Sequence, residues 1–420
     1  MAMTNEIDPK PQSVGVIGGG IAGISAALFL RRDGHDVTVF DPGDPGTGTS
    51  SGNAGVVSTG GIIPTATPDI LMRVPKMLMD PYGPLAVRWR YLPRIAPWLL
   101  SLLRNGTPAR IEANARAKAA LLDQAYEAYR TLLQDTGTES FMRQTGSLAV
   151  YETERGWQQT QWILELMRRC GRKFDVLNQD ELRQMEPGLA HIFRHAYYLP
   201  DNGSLSHPGK LVTELHEAFR RKGGTIVPQQ VIRIALSDGR ARELITEDGP
   251  QTFDSVVVAA GAWSKQFLKQ LGTNVLLDTE RGYHVMLPLP ENAPTRPINV
   301  VEDTMFLSPM AHGLRMTTGV ELAGTEAPPD YTRVRHMIGR AGRAIPGLRQ
   351  EEQSAWLGFR PSTPSSVPHL GRAPGHDNVY CAFGGGHVGM TLGPISGRIT
   401  ADLVAGREPG VDLAPYALDR

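Results

Sequence analysis

Apolar positions along this chain switch between two periods, and the switches mark its elements. An apolar run at 14–17 ends among glycines, an alanine-rich helical pattern follows at 24–31 and stops at Gly34, and a second short strand at 37–40 closes on Asp41. From about 69 to 137 the spacing is helical. Pro75, Pro81, Pro84, Pro93 and Pro97 interrupt its first part, while 109–137 reads as one long amphipathic helix. The pattern then becomes mixed: a strand at 146–153, a helix at 154–171, and a strand near 196–198 entering the turn Pro200-Asp201-Asn202-Gly203. A helix follows at 207–224, then TIVPQQVIRIAL (225–236) as a single strand with 239–248 as its partner, and a buried strand within 253–264. Residues 275–326 are strand-rich. The last part returns to alternating strand and helix, with a strand at 378–387 and a helix from about 390 to 405. No internal repeat or low-complexity tract is present.

The first strand–turn–helix carries Gly18-x-Gly20-x-x-Gly23, with Ile21 and Ala22 inside the turn. Gly18 permits the tight turn, Gly20 lets backbone amides approach a pyrophosphate, and Gly23 lets helix and strand pack closely. The helix N-terminus faces the phosphate charge, and Asp41 is placed to accept hydrogen bonds from a ribose. An acid there repels a 2′-phosphate, which favours FAD or NAD over NADP. The loop at 42–61 is too long for an ordinary connection. Its Ser50, Ser51, Asn53, Ala54 and Gly55 are small and rich in backbone donors, suited to wrapping a ligand.

Composition narrows the class. A chain of 420 residues has room for two or three domains. Lys plus Arg and Asp plus Glu both number 43, so no global field attracts nucleic acid. Two distant cysteines, Cys170 and Cys381, exclude a disulfide scaffold or zinc ribbon and suit a reducing compartment, and no metal site is expected. The start, MAMTNEIDPKPQS, lacks the basic and apolar regions of a signal peptide, so a cytoplasmic protein is expected. Segment 70–104 is locally basic, with Arg73, Lys76, Arg88, Arg90, Arg94 and Arg104 facing only Asp80, and Trp89 and Trp98 interleaved. Such a composition suits either packing against another domain or a peripheral contact with anionic lipid on the cytoplasmic face of an inner membrane.

Three separated motifs carry a resemblance: the glycine fingerprint with TSSGNAG downstream, VVVAAGAWS, and GFRPSTPSSVPHLGRAPGHDNVYCAFGGGHVGMTLGPISGRITADLVAG. Together the chain resembles FAD-dependent oxidoreductases of the D-amino-acid oxidase superfamily, in layout the bacterial D-amino-acid dehydrogenases. The resemblance implies an α/β fold: a discontinuous Rossmann-type FAD-binding domain (13–75, 205–265 and 356–420) with an α+β substrate domain built on an antiparallel or mixed sheet (140–204 and 266–355). Residues 76–139 are expected as a helical insertion. One departure is Ser365-Ser366, where the family has Asp-Gly, read as a local turn change.

The implied activity is oxidation of a D-amino acid to the imino acid by hydride transfer from the α-carbon to flavin N5, with D-proline and 4-hydroxy-D-proline among the candidates. The alternatives are a glycine/sarcosine or 2-hydroxy-acid (such as 2-hydroxyglutarate) flavin oxidoreductase, and a non-catalytic flavin subunit of a larger dehydrogenase. The protein must supply a carboxylate clamp, a positive end near the flavin pyrimidine and a dry face. Arg360 in Gly-Phe-Arg-Pro is expected as the clamp, because a guanidinium grips a carboxylate bidentately; a tie between two domains is its other reading. Gly386, Val388, Gly389, Met390 and Thr391 open a helix whose N-terminus would face flavin O2. Tyr283, with His284 beside it, is expected to face the ring as a substrate cap, or else to be a half-buried strand tyrosine. His387 is expected to orient substrate or move a proton, or to be a satisfied turn histidine. Gly261 joins the cofactor-binding set, as does Val231 by family analogy as a backbone partner for adenine. With no His in the loop after Asp41 and Cys381 in an apolar strand, FAD is expected to be non-covalent. The electron acceptor, whether quinone, carrier protein or oxygen, is left open.

Overall fold

The computed structural model describes residues 10–237 and 239–419; the side chains of Asp69, Leu71, Arg73 and Pro75 also lie outside the description. Most of the N-terminal stretch read for a signal peptide, and Arg73 of the basic segment, fall outside it.

Two sheets organise the α/β chain. The first has six strands in the order Thr225–Val227, Asp36–Phe40, Ser13–Ile17, Ser255–Val258, Val379–Phe383, His369–Arg372; all are parallel except the last. Alternation sends its apolar residues to opposite faces. Val14, Val16, Val37, Val39 and Val257 pack under helices Ile21–Arg32, Pro108–Thr136, Pro208–Arg221 and Gly389–Val404. Ile17, Phe40, Val256 and Val258 face a three-stranded antiparallel sheet, Arg233–Ser237, Arg240–Thr246 and Gly249–Thr252. Helices Ile21–Arg32 and Gly389–Val404 touch backbone to backbone: a Cβ on Gly397 would come within 2.5 Å of Ala26 N. Two glycine-started helix N-termini thereby lie side by side.

The second sheet runs Ser354–Ser362, Asp278–Leu287, Gly313–Leu322, Met305–Met310, Ile298–Val300, Ser147–Tyr151, His195–Leu199, Asp175–Leu177, with Leu85–Val87 pairing to the end of Gly313–Leu322. One face buries Tyr283, Val285, Val300, Leu307 and Met316 beneath helices Thr332–His336 and Ile338–Ala344. The other face looks toward the first sheet.

The stretch 225–236 is not one strand. Thr225–Val227 joins the parallel sheet and Arg233–Ser237 the antiparallel one, because Pro228 has no N–H to continue a ladder. The expected insertion 76–139 is also divided. Its long helix, Pro108–Thr136, lies in the core of the parallel-sheet unit, whereas Leu85–Val87, which the proline-broken pattern concealed, belongs to the second sheet.

Candidate functional site

Between the two sheets lies a cavity of about 840 Å³. One wall is the glycine turn. Gly18 adopts φ +105°, and a Cβ there would approach Ala259 O to 2.5 Å. A Cβ on Gly23 would overlap Gly18 O, so Gly23 serves packing and does not line the cavity. Gly18, Gly20, Ile21 and Ala22 do line it. Asp41 accepts from Gly19 N at 2.6 Å and from Gly43 N at 2.9 Å, and Ser50 Oγ accepts from Ile21 N at 3.0 Å. Gly20 gives helix Ile21–Arg32 no side-chain cap. Nearby His216 bonds Gly19 O through Nε2 at 2.7 Å, while its buried Nδ1 has no partner.

The loop that follows is folded on itself and held from the second sheet. Asn53 donates to Ser50 O and accepts from Gly55 N, each at 2.7 Å. Arg315 Nη1 reaches Ser51 O and Asn53 O, both at 2.8 Å, and His284 Nδ1 lies 2.9 Å from Gly52 O. Ser50, Asn53 and Ala54 line the cavity; Ser51 and Gly55 do not, being turned to Arg315 and to Met310 and Leu205 respectively. Val231 and Gly261 also line it.

The opposite end is closed by the turn Gly386–Val388 and helix Gly389–Val404, which has no side-chain N-cap. Gly386, His387, Val388, Gly389, Met390 and Thr391 all face the cavity. Thr391 Oγ1 accepts from Ser58 N at 2.9 Å, strapping the loop over the helix start. Ser366, in the turn that departs from Asp-Gly, takes φ +60°, and its hydroxyl accepts from Thr65 N at 2.9 Å. That hydrogen bond supplies local compensation for a left-handed residue.

Arg360 stands in strand Ser354–Ser362 as the register partner of Glu280. It lies against Gly282, where any Cβ would overlap the guanidinium, and its Nη1 donates to Gly319 O at 3.2 Å. Burial pulls its pKa below the ordinary value while Glu280 acts in the other direction. Glu280 is buried and accepts from Ser362 Oγ at 2.6 Å and His387 Nε2 at 3.1 Å. Burial raises its pKa, but His387, Ser362 and Arg360 outweigh that and bring it down to about 2.

The structure does not bring Tyr283 to this cavity. Strand alternation turns it to the other face, where its hydroxyl donates to Glu321 and its ring meets Tyr331. Burial and Glu321 push its pKa up to about 12. His284 does take the cavity-facing side, but it stacks on Trp356 and holds the loop; burial and Arg315 push its pKa down to about 3. Pattern reading overlooked the rest of that face. Trp356, His284, Thr317, Phe306, Asn299, Ala149 and Tyr197 form one cross-strand row, each the register partner of the next, and all but His284 line the cavity. Lys118, from the long helix, lines it too. The basic segment is likewise divided: Arg88 pairs with Glu321 at 2.9 Å, and Trp98 is buried with Nε1 donating to Ser362 O at 2.9 Å.

The family profile described as FAD dependent oxidoreductase (DAO) matches residues 13–403. A D-amino-acid oxidase of Bradyrhizobium diazoefficiens is 36% identical over 98% of this chain and 99% of its own length. A D-amino acid dehydrogenase of Mesorhizobium japonicum is 30% identical over 94% and 97%. Among solved structures, glycine oxidase from Geobacillus kaustophilus superposes with a TM-score of 0.75 at 24% identity, covering 98% of this chain and 99% of that one, a likeness of fold. The chain belongs to the FAD dependent oxidoreductase family, and FAD is its cofactor. The residues fit that group: a helix N-terminus with no side-chain cap from Gly20 and only Ile21 N taken, by Ser50, for a pyrophosphate, a glycine cradle, an orphaned imidazole nitrogen and a second helix without an N-cap side chain at the far end.

Proposed function

We propose that this chain oxidises the α-carbon of a D-amino acid to the imino acid, with Arg360 clamping the substrate carboxylate. The observation that carries the reading is the placement of Arg360: it lines, from the second sheet, the same cavity as the glycine turn at 18–22. Bound FAD supplies hydride acceptance at N5. Arg360 orients the substrate, Gly282 leaves the space the guanidinium occupies, and the row Trp356–Tyr197 shields the reacting carbon from water. The aromatic members of that row, with Leu148 and Leu199 beside them, favour a compact ring such as D-proline or 4-hydroxy-D-proline. The names of the Bradyrhizobium and Mesorhizobium relatives support a D-amino acid over glycine, sarcosine or a 2-hydroxy acid. The site set we propose is Arg360 and His387 with the cavity-lining glycines, Asp41, Ser50, Asn53, Ala54, Val231, Gly261 and 386–391. We propose the 13–75, 205–265 and 363–420 segments as the FAD-binding unit, with helix 108–136 added to it, whereas 356–362, expected with it, belongs to the second sheet.

Anaerobic flavin bleaching tests this directly. D-amino acids, D-proline included, should bleach the holoenzyme, and Arg360→Leu should lower kcat/KM about 100-fold, the loss of roughly 3 kcal/mol expected when a buried charge pair is truncated. Bleaching by 2-hydroxy acids alone, or an Arg360→Leu variant with unchanged kinetics, would overturn the assignment.

We also propose that segment 70–104 rests on anionic lipid at the cytoplasmic face. Met72, Met79, Trp89, Leu100 and Leu103 are exposed large apolar side chains, interleaved with exposed Lys76, Arg90, Arg94 and Arg104. Among the described residues no helix is long and apolar enough to cross a membrane. Co-sedimentation with phosphatidylglycerol vesicles, weakened by salt and by Trp89→Ser with Leu100→Ser, is the expected result. Equal partition to neutral and anionic vesicles would exclude it.

A further inference from the structure

We propose that His387 and Glu280 form a proton-accepting dyad: Glu280, a positioning residue, fixes the imidazole so that Nδ1 takes the ammonium proton of the bound amino acid. The inference rests on the substrate reading above and adds to it the group that prepares the amine. An amino acid carries its nitrogen as an ammonium at neutral pH, and hydride leaves the α-carbon only once the nitrogen lone pair is free to form the C=N bond. Something must remove that proton.

The geometry points to His387. Its side chain is 45% exposed and lines the cavity, while Glu280 behind it is 5% exposed. Nε2 lies 3.1 Å from Glu280 Oε2, and the same oxygen accepts from Ser362 Oγ at 2.6 Å. An ionised carboxylate offers no proton, so Nε2 must carry the hydrogen and Nδ1 must present the lone pair. Among the described residues none bonds Nδ1. This is the logic by which a buried carboxylate holds a catalytic imidazole in one tautomer and steadies the imidazolium it becomes.

The carboxylate is itself held in place. Ser362 O accepts from the Trp98 indole, and Ser362 bridges Gly385 at the base of the turn that bears His387. Among the described residues, these charged groups lie around the pair. Arg360 comes from the adjacent strand. Asp278 lies two residues along Glu280's own strand, bonded by Tyr91, with Lys265 of helix Ser264–Gln270 beside it. Helix Leu92–Asn105 contributes the neutral Trp98. In the step, a substrate N–H bond breaks and the Nδ1–H bond forms. The electron pair of the broken bond stays on nitrogen, and the proton returns to water after the imino product departs.

Two measurements on holoenzyme decide it, using Glu280→Gln with FAD absorbance as the check of fold. Nitrogen-15 histidine NMR should show the Nε2–H tautomer of His387 in the wild type and its loss in Glu280→Gln; a wild-type Nδ1–H tautomer overturns the dyad whatever the substrate. In rapid flavin bleaching, the acidic limb of the pH profile should move to lower pH in the variant. Its plateau should fall roughly 10- to 100-fold, at or below the lower end of the roughly 100- to 10,000-fold a positioned base contributes, because the imidazole itself remains. A limb that stays with the substrate amine overturns the dyad. If Glu280→Gln loses FAD, Glu280→Asp replaces it: the charge is retained, so the tautomer should survive with a smaller rate loss, and a wild-type rate overturns the proposal. Bleaching of the wild type by 2-hydroxy acids alone would remove the amino-acid reading; a limb unmoved with that donor would remove the dyad as well.

Discussion

Lys118 shows how much a single residue can reveal about this cavity. It is 3% exposed, and its Nζ donates to Ile63 O at 3.0 Å. Burial alone pulls its pKa down to about 7. An unfolded lysine titrates near about 10.4. Between those values the unfolded chain binds a proton that the folded chain does not, so this residue makes stability rise with pH across that window and weighs against folding below it. Lys118→Met should therefore melt several degrees above the wild type near neutral pH, with the gap narrowing as pH climbs toward the ordinary lysine value. Calorimetry at saturating FAD measures it, and a gap independent of pH would contradict the burial argument. Lys118 was invisible in the sequence, one polar position in a long amphipathic helix. That Arg360 and His387 line the cavity was legible because each sits inside a short contiguous motif whose backbone sets its direction. Tyr283 was misplaced for the converse reason: one residue of strand phase decides which face it takes, and 281–284 carries polar and aromatic side chains at both phases.

Elements were legible where period and punctuation agreed, as in Ile21–Arg32, Glu154–Arg169 and Pro208–Arg221, each ended by glycines or charged residues at the expected place. They failed where one residue overrode the period, as Pro228 does. Helix Gly389–Val404 carries another such override, with a different outcome. Pro394 sits inside it without an N–H for the Met390 carbonyl, one turn back. The helix continues because Tyr129, reaching from Pro108–Thr136, donates its hydroxyl to Met390 O at 2.6 Å. Both groups are buried, so the bond replaces the missing backbone partner where water has no access. Tyr129→Phe should thus cost about 1–3 kcal/mol, the range for leaving a buried acceptor unpaired. Urea unfolding of the holoenzyme should show a lower midpoint at unchanged slope; an unchanged midpoint would mean that the carbonyl is satisfied another way.

At the scale of the whole molecule, the second sheet does more than face the cofactor cavity, because it also holds one of its walls. Thr49 exchanges hydrogen bonds with Phe359 N and O, both at 3.2 Å, His284 meets Gly52 O, and Arg315 clasps Ser51 O and Asn53 O. The loop from 49 to 55 has little apolar side chain to anchor itself, so its shape depends on residues more than two hundred positions away. That dependence is why the loop read from sequence only as small and donor-rich, without its clamp. Arg315 is 7% exposed and does not line the cavity, yet burial draws its pKa down to about 10, the mark of a guanidinium paired with carbonyls and no acid. Removing it leaves two loop carbonyls without their donor, a loss of about 1–3 kcal/mol that FAD binding must then recover by ordering the loop. Arg315→Met should therefore weaken FAD about 10- to 100-fold when apoprotein is reconstituted with graded cofactor. Arg360 stays in place, so kcat at saturating FAD should change far less. Equal loss of kcat at full occupancy would place Arg315 in the chemistry; wild-type FAD affinity would show that the loop keeps its shape without the second sheet.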